Sequence, residues 1–226
     1  MQDALEPALA SIAGAPVEVT AAGRTDRGVH ARLQVAHFDT GARRPASAWV
    51  RGVNALLPDA VAVLWSQDVA GDFHARDSAR ARTYRYELLN RPVRPGLAAP
   101  YVGWFHLPLD VDKMRAAAAH LVGEHDFSAF RSSECQAKTP VRTIHSLQIE
   151  RKDERIEFVI RANAFLHHMV RNLVGTLVYV GKGKHAPQWV DQLLRSRDRA
   201  KAAPTFGPEG LYLERIEYEQ KWKLPL

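Results

Sequence analysis

Ala21-Ala22-Gly23-Arg24-Thr25-Asp26-Arg27-Gly28-Val29-His30-Ala31-Arg32 lies between two apolar alternating segments, Val17 to Thr20 and Leu33 to Phe38. Alternation on both sides of a polar stretch predicts two strands joined by a tightly turned connection. Gly23 and Gly28 allow a positive φ or a close approach to a ligand at their positions. Asp26 is the one acid of the stretch, and in an extended backbone Arg24 projects from the same face. A neighbouring guanidinium favours the charged carboxylate, which suits a nucleophile better than a general acid. The same pair also reads as a solvated loop ion pair contributing about 0–1 kcal/mol, and spacing alone does not choose.

Outward from this stretch, Leu5, Leu9 and Ile12 fall at helical spacing over residues 2–12, with Pro7 tolerable close to a first turn. Residues 46–57 read as a short helix ended by Pro58, and Val61 to Trp65 as a buried strand. Around residues 72–85, Arg76, Arg80, Arg82 and Arg85 interleave with Phe73, His74 and Tyr84. Basic groups among aromatics suit phosphates and unstacked bases; a solvated strand face is the other reading. Tyr84, Tyr86 and Leu88 share one face of this strand, with Thr83, Arg85 and Glu87 on the other. Residues 91–100 form a stiff proline-rich connector. Asp110 caps a helix over 111–122 ended by Gly123, and 141–151 with 155–162 alternate as a hairpin about Asp153. A longer helix is expected over 165–180, with His168 and Arg171 one turn apart. A further helix spans 188–195, and a closing strand runs from Leu211 to Tyr218 with an irregularity near Arg215. The element order suggests an α/β sandwich with helices on one side of a mixed or antiparallel sheet and the other side left for substrate.

A length of 226 residues allows one large or two small domains, and 46% apolar with 25% charged residues is ordinary for a soluble globular chain. No apolar run reaches the roughly 18 residues that span a bilayer, and residues 1–15 lack the pattern of a signal peptide. One cysteine, Cys135, excludes an internal disulfide framework and fits a reducing cytoplasm, its simplest role being packing. A net charge of +6 permits a polyanionic partner. Gly181 to Lys184 lacks the spacing of a phosphate-binding loop, and the ten histidines show no metal-ligand spacing. On a helix, adjacent His167 and His168 would point to different sides and not share a metal.

Gly23-Arg24-Thr25-Asp26-Arg27-Gly28-Val29-His30 resembles the signature of the tRNA pseudouridine synthase A family. Asp72 to Arg76, Arg82 to Tyr86, Asn163 to Asn172 and Glu209 to Leu213 match the same family in the same order, so the resemblance spans nearly the whole chain. It implies an α+β pseudouridine synthase fold of two similar ferredoxin-like subdomains, 1–78 and 79–226, with joined sheets around an RNA-binding cleft. It also implies a homodimer that grips tRNA and isomerises uridines of the anticodon arm without metal, nucleotide or redox cofactor. On the matching positions, Asp26 would be the nucleophile, attacking C6 of the base or C1′ of the ribose, with Arg24 orienting it. Tyr84 would stack on the extruded uracil and Leu211 would pack against it, with Arg76, Arg85, His168 and Arg171 as RNA contacts. Core packing is the competing role for Tyr84 and Leu211. The family's opening strand has no match here, so the sequence predicts a chain without it. Two other classes fit parts of the pattern: an RNA-binding module that has lost the chemistry, and an unrelated aspartyl-nucleophile enzyme, which leaves the arginine-aromatic strand unexplained.

Overall fold

A computed structural model describes residues 1–226. In chain order the elements are α1 (Gln2–Ala13), β1 (Thr20–Ala21), β2 (His30–Ala31), β3 (Ala36–His37), β4 (Ala79–Asn90), β5 (Gly103–Phe105), α2 (Val111–Ala119), β6 (Gly123–Asp126), β7 (Val141–Lys152), β8 (Arg155–Ala162), α3 (Met169–Gly181), α4 (Trp189–Ser196) and β9 (Leu211–Tyr218). The chain divides into two units, one of Met1–Arg24, Gln34–Ala79 and Ile216–Leu226, the other of Thr25–Leu33 and Arg80–Arg215.

In the first unit the helical spacing of Leu5, Leu9 and Ile12 is realised in α1, and Gly14 closes it at φ 76° with its N–H on the Ala10 carbonyl. Pro7 falls in the second turn, where its missing N–H leaves one helical bond unmade. Ala8, Leu9 and Ala13 pack with Val17, Val19, Trp49 and Val53 into a small core. The two segments flanking the central stretch form strands only where they meet, Thr20 opposite His37 and Ala21 opposite Ala36, antiparallel. The expected strand at 61–65 does not form, and Leu64 is exposed. Here the Asn54 amide takes both the N–H and the C=O of Val63, the groups a ladder would have used.

The second unit is built on a seven-stranded mixed sheet in the order β2-β9-β4-β8-β7-β6, with β5 against β4. β4 runs antiparallel to β8, and β2 parallel to β9. The β7–β8 hairpin turns at Asp153, which takes φ 54° as expected of a turn aspartate. Along β4, Tyr86 and Leu88 are buried as their alternation requires. In β9 the burial passes from Leu211 and Leu213 to Ile216, a one-residue slip at the predicted irregularity. Asp110 caps α2 by accepting from the Lys113 N–H. Residues of α2, α3 and α4 share one apolar core with the sheet. α3 begins at Met169, four residues later than its periodicity suggested, because His168 takes the left-handed conformation (φ 61°) and breaks the helical path. The fold is therefore α+β with a mixed sheet, as the sequence indicated.

Candidate active site

Asp26 stands on a tight turn closed by the Val29 N–H on its own carbonyl. Gly28 takes φ 84° in that turn, and a Cβ there would also press on Pro208. Three groups from five consecutive residues converge on the Asp26 carboxylate. His167 Nε2 is 3.2 Å from Oδ1, while His168 Nε2 and Arg171 Nη1 are each 3.1 Å from Oδ2. Arg171 is itself fixed, its Nε donating to the Phe206 carbonyl at 2.8 Å.

This convergence corrects the expectation for the two histidines. They precede the helix instead of lying on it, and the left-handed backbone of His168, at a cost of about 1–2 kcal/mol, leaves the ring centroids 4.0 Å apart and both rings on Asp26. The carboxylate oxygen and imidazole nitrogens lie within 4.8 Å of one another. Because the Arg171 guanidinium occupies the same oxygen, a dication there would meet a fixed positive charge, so the trio is a cluster of polar contacts and not a ligand set. The His168 imidazole is held below its ordinary range, chiefly by burial; Asp26 opposes this, while His167 and Arg171 add to it. It is therefore neutral near pH 7.

Tyr84 meets Phe165 edge to face at 4.9 Å between centroids and packs against the apolar core that contains Leu211. Burial pushes its hydroxyl up to about 12. The segment from Phe206 to Leu211 supports the whole site. It accepts from Arg171, faces the Asp26 turn with Pro208, binds the Tyr86 hydroxyl through the Gly207 carbonyl at 2.9 Å, and delivers Leu211 at the start of β9. Asn172 is fully buried and ties α3 to its surroundings, donating to the Phe130 carbonyl and accepting from Arg199 and Thr205.

Of the residues singled out in the sequence, the second unit brings Asp26, His168 and Arg171 together, with Tyr84 and Leu211 in the same unit. Arg85 turns to the opposite face of β4, where Glu87, Glu157 and Glu214 surround its guanidinium. Arg24 and Arg76 belong to the first unit and are exposed. Sequence reasoning left out His167, Asn172 and Phe206. Cys135 does more than pack: its sulfur accepts the His167 N–H at 3.4 Å. Burial works against ionisation of that thiol, but the N–H groups of Ala137 and His167 and the Arg131 guanidinium outweigh it and hold it below its usual value.

A family model described as tRNA pseudouridine synthase matches residues 117–219. The tRNA pseudouridine synthase A of Dechloromonas aromatica is 59% identical over 225 residues, covering 100% of this chain and 86% of the relative. The proteins of the same name from Chromobacterium violaceum and Nitrosomonas eutropha are 58% and 56% identical, covering 100% of this chain and 86% and 81% of their own lengths. The chain belongs to the tRNA pseudouridine synthase A family. No helix in it is long and apolar enough to cross a membrane.

Proposed function

We propose that this protein isomerises uridine to pseudouridine in the anticodon arm of tRNA, with Asp26 as the nucleophile. The observation that carries the reading is the carboxylate on its tight turn, met on both oxygens by His167, His168 and Arg171. Such a group is aimed, charged and 24% exposed, so a substrate atom can still reach it. The N-glycosidic bond breaks, the detached uracil turns, and C5 bonds to C1′. Tyr84 stacks on the extruded base, offsetting the few kcal/mol that flipping costs, and Leu211 keeps its pocket dry, which strengthens the charge interactions there. Arg24, exposed in the first unit, holds the phosphate of the flipped nucleotide or the space it vacates, and Arg76 adds a phosphate contact. Arg85 would have to leave its glutamates to do the same.

The division into subdomains 1–78 and 79–226 is part of this proposal, supported by one apolar core drawn from Ala8 to Val53 and another drawn from Tyr86 to Leu211, though Thr25–Leu33 groups with the second unit and Ile216–Leu226 with the first. A homodimer working in the cytoplasm completes it, supported by the family resemblance.

The test is release of tritium from C5 of uridine in labelled tRNA, since forming the carbon–carbon bond at C5 must expel that hydrogen. The protein is expected to release it. Asp26→Asn should release none while tRNA affinity stays within a few fold, and an active Asp26→Asn variant would remove the nucleophile assignment.

A further inference from the structure

Isomerisation leaves one proton to be moved. Once C1′ is bonded to C5, that carbon still carries its hydrogen. The C5–H bond must break, its electron pair closing the C5–C6 double bond while the N1–C6 double bond opens onto N1, which gains a proton from solvent. No net charge or oxidation state changes. Some group must take the proton from C5 and lose it to water.

We infer that His168 is that group, accepting the proton at Nε2, directly or from Asp26, and passing one on into an adjoining polar groove. Two independent observations support this. The first is the 3.1 Å approach of His168 Nε2 to Asp26 Oδ2, a hydrogen-bond distance at the reacting carboxylate. The second is that His168 also lines a groove of about 660 Å³ whose other walls include Arg131, Ser132, Ser133, Arg199 and Thr205. In its Nδ1–H tautomer an imidazole between a carboxyl group and a hydroxyl-lined groove takes a proton on the bare Nε2 and releases the one on Nδ1. His167 contacts the other oxygen of Asp26 but does not line that groove.

The charges around the ring agree with this role. Asp26, His167 and Arg171 face it on the reaction side and Glu134 adds a negative charge, while Arg131 and Arg199 face it across the groove. Burial, helped by His167 and Arg171, outweighs Asp26 and Glu134 and keeps the imidazole neutral near pH 7. Tyr84, the other candidate, holds its own proton up to about 12 and gives a phenolate base only at high cost. The left-handed backbone of His168 has a use in this account, because it is the conformation in which the ring meets Asp26.

This inference rests on the isomerase reading, and the experiment separates the two. Single-turnover reactions are run on tRNA carrying C5-deuterated or ordinary uridine, with wild type, His168→Gln, His168→Asn and His167→Gln. Asparagine tolerates left-handed backbone and guards against a folding defect at position 168. Wild type is expected to show an isotope effect near unity. At saturating tRNA the His168 variants should turn over roughly 10²-fold more slowly, show a severalfold isotope effect, and recover with added imidazole. His167→Gln should show neither isotope effect nor rescue. His168 variants with unchanged turnover, or slowed without isotope effect and rescue, would overturn the relay and leave the isomerase reading standing. A wild type that makes no pseudouridine overturns both.

Discussion

Arg171 Nη1 lies 3.1 Å from Asp26 Oδ2 across a sequence separation of 145 residues. The contact is directional because the same guanidinium is anchored through Nε to the Phe206 carbonyl. Lysine supplies the charge but not the planar fork that makes both bonds at once. Arg171→Lys should therefore cost about 1.5–3 kcal/mol of transition-state stabilisation, roughly a ten- to hundred-fold loss of turnover. Tritium-release kinetics at saturating tRNA measure it, and a Lys variant with wild-type turnover would show that charge alone suffices.

In the proposed function Tyr84 offers a ring face to the extruded base, and its T-shaped contact with Phe165 holds it in place. Tyr84→Phe keeps that face and should stay within a few fold of wild type. Tyr84→Ala should lose about 1–3 kcal/mol of stacking. Equal damage from the two substitutions would assign the role to the hydroxyl instead.

Gly175 sits on α3 against the Pro204 carbonyl, where an added Cβ would collide with backbone. Gly175→Ala should destabilise the protein by about 1–3 kcal/mol, read as a lower thermal midpoint. Turnover should fall as well, because the displaced 204–206 segment carries the carbonyl that anchors Arg171.

Stability should also decline as pH falls from 7 to 5. His168, His37 and His185 are all held below the ordinary imidazole value, in each case chiefly by burial. In the window from about 6.5 downward the unfolded chain takes up protons on these residues that the folded chain does not. Acid therefore favours unfolding until the folded-state values are also passed. Thermal midpoints across this range check it, and the slope should flatten in a His37→Gln, His185→Gln double variant.

The regular elements were legible wherever apolar periodicity met a partner. The two faces of β4, the β7–β8 hairpin with its turn at Asp153, and the slip in β9 all follow from side-chain alternation. Residues 61–65 carry a strand-like pattern, but a side-chain amide satisfies the Val63 backbone, and alternation cannot report that. Asp26 was legible as a lone acid among arginines. His168 and Arg171 were legible as site residues but not as its partners, and His167 not as a site residue, since all three lie some 140 residues away. Reading His167 and His168 on a helical wheel misplaced them, because no glycine or asparagine signals the left-handed step at 168.

That step has a consequence for chain length. His168 lies just outside α3 and Arg171 in its first turn, so the two reach one oxygen only at their present separation. Each helical residue advances the chain by about 100° and 1.5 Å. A residue inserted or deleted between them would swing the guanidinium away from the carboxylate while leaving every side chain present. Point substitutions in this pentapeptide should grade the activity, whereas a change in its length should end it. Among related sequences, a gap falling between positions 167 and 171 would mark a chain that has given up the reaction, whatever else it retains.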